Sequence, residues 1–477
     1  MIGSLVNVFK IPDLRRKILF TILIIAVYRV GMYMPIPGTH PEYLNALVAA
    51  EEEAGAGGGA GLGGYLNFIA RITGGSFGPF LFSLGIMPYI SASIILQLLT
   101  QAVPALEKLA KEGESGRRKI NEYTRYLTVL LCLIQASFIA RVGSYVPGQS
   151  LADAQWRGGG VSPVMYYLVC VVAMAGGTIL LMWLGELVDE YGIGNGISLI
   201  IMAGIVDRLP AVAQYLYQNA TIEFLGFAGG VGKIGIETVF LILVMFVGVI
   251  IGVVLITQAQ RRIPIQQAKH TRGRRMYGGQ RQYLPLRVNQ AGVIPVIFAS
   301  SLLYLPMYLF RALARAVPSN PEESSWAWLW PVVQELQEAF TYGQLIHMLA
   351  YVALIFVFCY FWTAITFQPR EIANNLRDRG NFVPGMRPGK RTADYLERVV
   401  NRITYVGAAF LAVVAILPVV VSRVTDVSML MTGFLGGTGL LIIVSVALDL
   451  VQRIESHLVM RHYEGFLAAG RVKGRRG

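Results

Sequence analysis

Polar and apolar residues do not interleave evenly along this chain; they separate into blocks. Ten apolar stretches, each about 15 to 25 residues long, fall near 18–36, 77–99, 124–146, 163–184, 195–210, 236–257, 289–310, 346–367, 399–420 and 436–456. The hydrocarbon core of a bilayer is about 30 Å thick, so roughly 20 apolar residues cross it as a helix. The pattern therefore predicts an all-α integral membrane protein with ten transmembrane helices. The fifth stretch is the least well defined, being short and starting among Gly192, Gly194 and Gly196.

The polar blocks between these stretches differ in charge, which sets orientation, because Lys and Arg near span ends stay on the cytoplasmic side. Lys10, Arg15, Arg16 and Lys17 precede the first stretch, and Lys108, Lys111, Arg117, Arg118 and Lys119 follow the second. The sixth is followed by Arg261, Arg262, Lys269, Arg272, Arg274, Arg275, Arg281 and Arg287. The eighth is followed by Arg370, Arg377, Arg379, Arg387, Lys390, Arg391 and Arg398. With ten crossings all these blocks share one face, as does the terminal RVKGRRG, so both termini are expected in the cytoplasm. The intervening blocks are poor in Lys and Arg. Residues 37–76 hold Arg71 against Glu42, Glu51, Glu52 and Glu53. The segment LGELVDEYGIG after the fourth stretch departs from the rule, with no Lys or Arg on the side expected to be basic.

Composition agrees with a membrane protein. Mean hydropathy is +0.55, and 14% of residues are charged against about 25% in soluble domains. Cys132, Cys170 and Cys359 all fall inside apolar stretches without metal-ligand spacing and read as buried apolar residues. The N-terminal MIGSLVNVFKIPDLRRK lacks the short apolar core and small-residue cleavage site of a signal peptide, so the first helix is expected to be retained.

The net charge of +13 comes mainly from the blocks after the sixth and eighth stretches. Two readings stand: the charges fix topology, or they bind an anionic partner such as an RNA surface or an acidic protein. Motifs of chemistry are absent: there is no GxxxxGK[ST], HExxH or GxSxG. No catalytic residue, cofactor or metal is expected, and energy for any work would come from a partner or an ion gradient. A secondary transporter, a passive channel and a membrane-embedded assembly factor with no pore remain open at this level. The scarcity of charge in mid-span weighs against ion coupling, since Arg29, Arg141, Glu237 and Asp449 lie towards span ends. Residues 65–73, YLNFIARIT, are apolar but too short to span, and GGSFGPFLFSLGIMPYISAS follows at 74–93. This is a re-entrant or plug-like segment, or else an amphipathic surface helix.

Six segments carry a resemblance: GIMPYISAS (85–93), KEGESGRRKINEYTRY (111–126), YGIGNGIS (191–198), LPLRVNQAGVIPVIFASS (284–301), FVPGMRPGKRT (382–392) and GGTGLLI (436–442). In order and spacing they resemble the SecY family, the central subunits of the bacterial protein-conducting translocon. The resemblance covers essentially the whole chain, and it is poorest at 39–64 and 315–345. It implies two inverted five-helix halves, 1–210 and 236–477, joined by an external segment at 211–235 and enclosing an hourglass pore. The long cytoplasmic loops would be 258–288 and 368–398, and a short plug helix would fall at 65–76.

By the same resemblance, Ile86, Ile90, Ile197, Ile201, Ile297 and Ile442 would form an apolar ring at the pore's waist. Such a constriction dewets and seals while making no specific bond to a passing chain. Ser91, Gln135 and Asn289 match polar positions at a lateral gate, through which signal sequences and membrane segments would leave into lipid. Arg262, Arg274, Arg275, Arg370 and Arg387 match basic positions that meet the ATPase SecA or the ribosome. SecE and SecG would be partner subunits, unfolded preproteins the cargo, and the bacterial plasma membrane the location.

Overall fold

The computed structural model describes residues 11–40, 78–142, 162–207, 234–267, 281–300, 330–340, 344–425 and 438–469, with isolated residues and strand fragments at 42, 209–221, 270–277 and 302–310. The described residues are mostly helical. The helices are α1 (Pro12–Met32), α2 (Met87–Ala102), α3 (Pro104–Lys111), α4 (Glu114–Val142), α5 (Pro163–Tyr191), α6 (Gly196–Val206), α7 (Ile236–Gln258), α8 (Trp330–Ala339), α9 (Leu345–Thr366), α10 (Pro369–Asp378), α11 (Lys390–Thr425) and α12 (Thr438–Ala469). Residues 294–300 are also helical. The fragments β1 (Ala220–Thr221) and β2 (Ile234–Gly235) pair in parallel.

By length and composition, four helical segments can cross a membrane: Val164–Tyr191, Val239–Gln258, Leu345–Asp378 and Lys390–Val421. A fifth is added if α2 and α3, bent by 98°, are taken as one broken span. Ten crossings were expected, and the difference has physical causes. α1 opens on Arg15, Arg16 and Lys17 and ends near Arg29. α6 has 11 residues, about 16 Å of helix. α12 carries Asp449, Arg453 and Glu455. Much of 289–310 lies outside the described residues. The helices that do qualify present apolar faces outward: Phe240, Leu243, Val247, Ile251 and Leu255 of α7 are all exposed. Apolar surface of that extent is stable against lipid rather than water.

Contacts within the chain divide it into two units, 1–235 with 446–477, and 236–445. In the first, α2 packs along α4, α4 along α5, and α1 against α5 and α6. One core there joins Ile36, Leu84, Ala136, Ala140, Tyr166, Cys170 and Met174. In the second, α7, α9, residues 296–300, α11 and the start of α12 bury Val253, Val296, Ala299, Ile355, Cys359, Leu411 and Leu441 together. Cys132, Cys170 and Cys359 are all free thiols and buried, as their apolar surroundings in sequence suggested.

The sequence reading did not anticipate a β-ribbon between α7 and the seventh apolar stretch. β3 (Gln260–Gln267) pairs antiparallel with β6 (Arg281–Arg287), from Gln260↔Arg287 to Gln266↔Arg281. β7 (Asn381–Phe382) adds to β3 at Gln266 and Gln267. Further along the ribbon, β4 (His270–Arg272) pairs with β5 (Arg275–Tyr277). Ile263, Ile265 and Leu286 are buried. Ile263 and Leu286 form a small core with Phe367, Val383, Leu396 and Val400. The ribbon's base is thus welded to the segment that joins α9 to α11.

Candidate functional site

In the first unit, the backbone before α2 is not helical. Residues 78–86 run as turns between α1 and α5, and both helices are shaped to admit them. A Cβ at Gly31 would meet the Phe82 ring at 2.2 Å, and one at Gly177 would meet the Leu81 carbonyl oxygen at 1.9 Å. Phe82 stacks on Tyr28 with centroids 6.1 Å apart. The segment's backbone groups find partners: Ile36 N donates to Pro79 O at 2.9 Å, and Leu81 N to Met34 O at 3.0 Å. Thr178 of α5 donates its hydroxyl to Gly85 O at 3.1 Å. Irregular backbone at membrane depth needs this kind of satisfaction by protein. The result fixes Ile86, fully buried, at the N-cap of α2. Ile90 follows one turn on, its N–H donating to Ile86 O at 3.1 Å. Ile90 and Ser91 are half-buried, as is Gln135 on α4.

YGIGNGIS is the turn from α5 into α6. Asn195 caps α6, its side-chain oxygen accepting from Ser198 N at 2.9 Å. Asp189 accepts from Gly196 N at 2.8 Å. A Cβ on Gly196 would meet Gly185 O at 2.0 Å, so the two helices approach more closely than any side chain allows. Ile197 packs against Gly185, and Ile201 is buried one turn further. The starts of α2 and α6, which carry Ile86 with Ile90 and Ile197 with Ile201, are both seated on α5. Their anchor points, Thr178 and Gly185, lie about 10 Å apart along that helix.

The same geometry accounts for the acidic LGELVDEYGIG segment. Glu186 accepts two bonds from the Arg125 guanidinium of α4, at 3.0 and 2.8 Å. Asp189 holds Gly196, so two carboxylates of this segment have structural partners. Asp207, a carboxylate inside the fifth apolar stretch that the sequence reading passed over, forms an ion pair with Arg29 of α1. A charge within an apolar span signals such a partner, but Arg29 is too far away in sequence to be paired with it by pattern.

In the second unit, Ile297 is half-buried in the helical run 294–300, and its carbonyl accepts from Ser300 Oγ at 2.8 Å. Ile442 is 2% exposed near the start of α12. Asn289 is half-buried and bonded locally. Its amide donates to Gly292 O at 3.1 Å, closing a turn in which Gly292 has φ +66°. Val288 N donates to Ala259 O at 2.9 Å, which closes the base of the ribbon at the end of α7.

Arg262 stands exposed on β3 opposite Pro285. Arg281 and Arg287 are exposed on the same face as Arg262, opposite the face of Ile263, Ile265 and Leu286, and Arg261 is exposed at the end of that apolar face. Pro264 and Pro285 sit within the paired strands. A proline in a ladder turns its donorless nitrogen away from the partner strand, which blunts the free edges. Arg370 is exposed on the first turn of α10. Arg387 is exposed on a turn flanked by Gly385 (φ +83°) and Gly389 (φ +105°), its carbonyl held by Thr392 Oγ1 at 3.0 Å. Among the described residues Arg262, Arg370 and Arg387 form no ion pair. Arg275 lies on β5. Arg274, the side chain of Arg275, the segment 65–76 expected to form a plug and most of 211–235 lie outside the described residues. Among the described residues no group of acidic, His or Cys side chains could hold a metal.

A family model described as SecY matches residues 81–451. The chain belongs to the SecY family. Protein translocase subunit SecY of Thermotoga maritima is 41% identical over 471 residues, covering 98% of this chain and 99% of that one. The Thermus thermophilus subunit is 38% identical, with both chains covered completely. That of Streptomyces coelicolor is 42% identical over 480 residues, covering 98% of this chain and all of the relative. Among solved structures, one described as a protein conducting channel has a TM-score of 0.55 at 20% identity, covering 96% of this chain and 95% of that one. A second, with a TM-score of 0.56, 20% identity and the same coverage, comes from work on the SecY plug domain, reported there to stabilise the closed state and maintain a membrane seal. These two show the fold. GIMPYISAS and YGIGNGIS are the two stretches seated on α5, and FVPGMRPGKRT holds the turn that carries Arg387.

Proposed function

We propose that this chain is the channel-forming subunit of a protein translocon in a bacterial plasma membrane. It passes unfolded preproteins across the bilayer and releases membrane segments sideways into lipid. The observation that carries this reading is the relation, at 38–42% identity over whole chains, to translocase subunits. It is not an enzyme, so the energy comes from a partner, SecA or the translating ribosome. The chain forms ten spanning helices in two inverted halves, 1–210 and 236–477, joined outside by 211–235, with both termini in the cytoplasm.

The halves enclose a waist made by Ile86, Ile90, Ile197, Ile201, Ile297 and Ile442. Branched apolar side chains there exclude water and ions yet offer a sliding polypeptide no specific bond. Residues 65–76 plug the outer side. Ser91, Gln135 and Asn289 line the seam of the lateral gate, where interhelical polar contacts of about 0.6 kcal/mol yield to an incoming apolar helix. Arg262, Arg274, Arg275, Arg370 and Arg387 meet SecA or the ribosome. The exposed guanidinium groups of Arg262, on the ribbon, and Arg387, on the turn between Gly385 and Gly389, suit phosphate or carboxylate equally. SecE and SecG complete the complex.

The test is conductance in planar bilayers after deletion of 65–76. A channel of this design shows large, poorly selective currents. Flux that depends on a small solute with fixed stoichiometry would instead indicate a transporter and overturn the reading.

A further inference from the structure

α6 is short, and the turn that leads into it is rich in glycine, with Gly192, Gly194 and Gly196 in five residues. Two of these positions exclude a side chain: a Cβ at Gly192 would meet Thr21 Oγ1 at 2.7 Å, and one at Gly196 would meet Gly185 O at 2.0 Å. Gly194 has φ +102°. The glycines that permit this close approach also leave the free turn with more conformational freedom than any other residue would. Order must then be imposed from outside.

The structure supplies that order from α1, at both ends of α6. Near the start, Thr21 Oγ1, in a residue 7% exposed, accepts from Ile193 N at 3.1 Å and donates to Lys17 O at 2.9 Å. Near the far end, Asp207, the C-cap of α6, pairs with Arg29, whose guanidinium also lies over the Tyr33 ring at 4.9 Å. Between these contacts α1 and α6 pack against each other. A third tie comes from the C-terminal part of α12. Arg453, oriented by Asp449 at 2.9 Å, donates to Gly194 O at 3.3 Å. Ile454 packs with Ile193 and Leu14, and Leu450 Cδ1 would lie 3.3 Å from a Cβ on Gly194.

We propose that α1 is a splint for α6, with Thr21 and Arg29 as positioning residues that hold Ile197 and Ile201 in the constriction, and with Arg453 of α12 locking the splinted turn. None of the three touches the passing chain. The proposal rests on the channel reading above, because what the splint positions are two members of its apolar ring. A loosened α6 lets the waist open without cargo.

The experiment measures ion leak through purified full-length protein in proteoliposomes, at matched protein amounts, for Thr21→Val, Thr21→Ser, Asp207→Asn, Arg453→Gln and Ile201→Asn. Thr21→Val keeps the side-chain shape and removes the acceptor for Ile193 N. Its leak should rise about fivefold, the factor that one net hydrogen bond carries. Thr21→Ser should restore the parent's leak, and a role in general stability alone would not distinguish these two variants by conductance. Asp207→Asn and Arg453→Gln should leak as Thr21→Val does. Arg453 is half-exposed, so its variant folds even where Thr21→Val does not accumulate, and its leak then decides. If Ile201→Asn leaks while the folded splint variants stay as tight as the parent, the splint is overturned and the channel reading survives. If Ile201→Asn is itself tight, the ring reading fails and the splint falls with it.

Discussion

Gly177→Ala offers a strong test of the packing account, because its neighbour supplies the control. A methyl group at Gly177 would lie 1.9 Å from the Leu81 carbonyl oxygen, 2.8 Å from the Leu81 carbonyl carbon and 3.2 Å from Phe82. The first two atoms are backbone, and they must retreat by more than about 1 Å to reach ordinary contact. They are not free to do so, since Leu81 N and Ile36 N are bonded across the same crossing. Overpacking of this kind costs about 1–3 kcal/mol. A methyl group at Gly176 would meet nothing within 4 Å, and replacing a helical glycine with alanine gains about 0.5–1 kcal/mol. Gly177 lies in the same helix and shares that gain, so the two variants should differ by the overpacking alone, about 1–3 kcal/mol, Gly177→Ala being the less stable. Equilibrium unfolding in mixed detergent micelles reads that difference. Residues 81–86 lead directly into Ile86, so Gly177→Ala should also raise ion leak while Gly176→Ala should not. Equal stability and equal leak in the two variants would refute the claim that α5 is shaped around the segment before α2.

Arg387→Glu turns attraction for an acidic partner surface into repulsion on an exposed turn, so SecA-driven export should fall at unchanged protein abundance, measured together in membrane vesicles. Asn289→Leu removes the bond to Gly292 O, about 0.5–1.5 kcal/mol of the local turn. If Asn289 also lines the gate, insertion of a graded Leu/Ala signal series should change most for the weakly hydrophobic signals, whereas a parallel shift for all would leave Asn289 with the turn alone. Ile297→Asn should leak ions, because an amide recruits water into a dry constriction and its burial costs about 1–3 kcal/mol. Ile297→Leu should not leak, and bilayer conductance at matched protein amounts compares the two.

The sequence exposed the helices because their apolar runs dominate composition; helical residues lie within each of the ten stretches. It did not expose how those helices meet. Gly177, Gly185 and Gly196 are legible as glycines, but the backbone atoms that forbid a side chain at Gly177 and Gly196 belong to other elements. Arg29 and Asp207 are a pair no local pattern could join. The ribbon was more accessible: Ile263 and Ile265, then Leu284 and Leu286, alternate with other residues at the period of a strand. The density of arginine in that block drew attention to charge instead. Asn289 matches a gate position by resemblance, and its bond to Gly292 adds a second role that residue type alone could not show. The ring isoleucines look like any other isoleucine in an apolar run. Only alignment on the six motifs singled them out, Ile201 lying just past the end of YGIGNGIS.

The central claim is that a polypeptide passes through the apolar waist, and photocrosslinking of a stalled translocating chain tests it most directly. A photoreactive residue is placed in turn at Ile86, Ile201, Ile297 and Ile442, and at Leu243, which faces outward on α7 and is 57% exposed. The account predicts crosslinks from all four waist positions to the same short stretch of the stalled chain, and none from Leu243. Crosslinks from Leu243 as strong as those from the four isoleucines, or none from the isoleucines while the chain is held in transit, would contradict it.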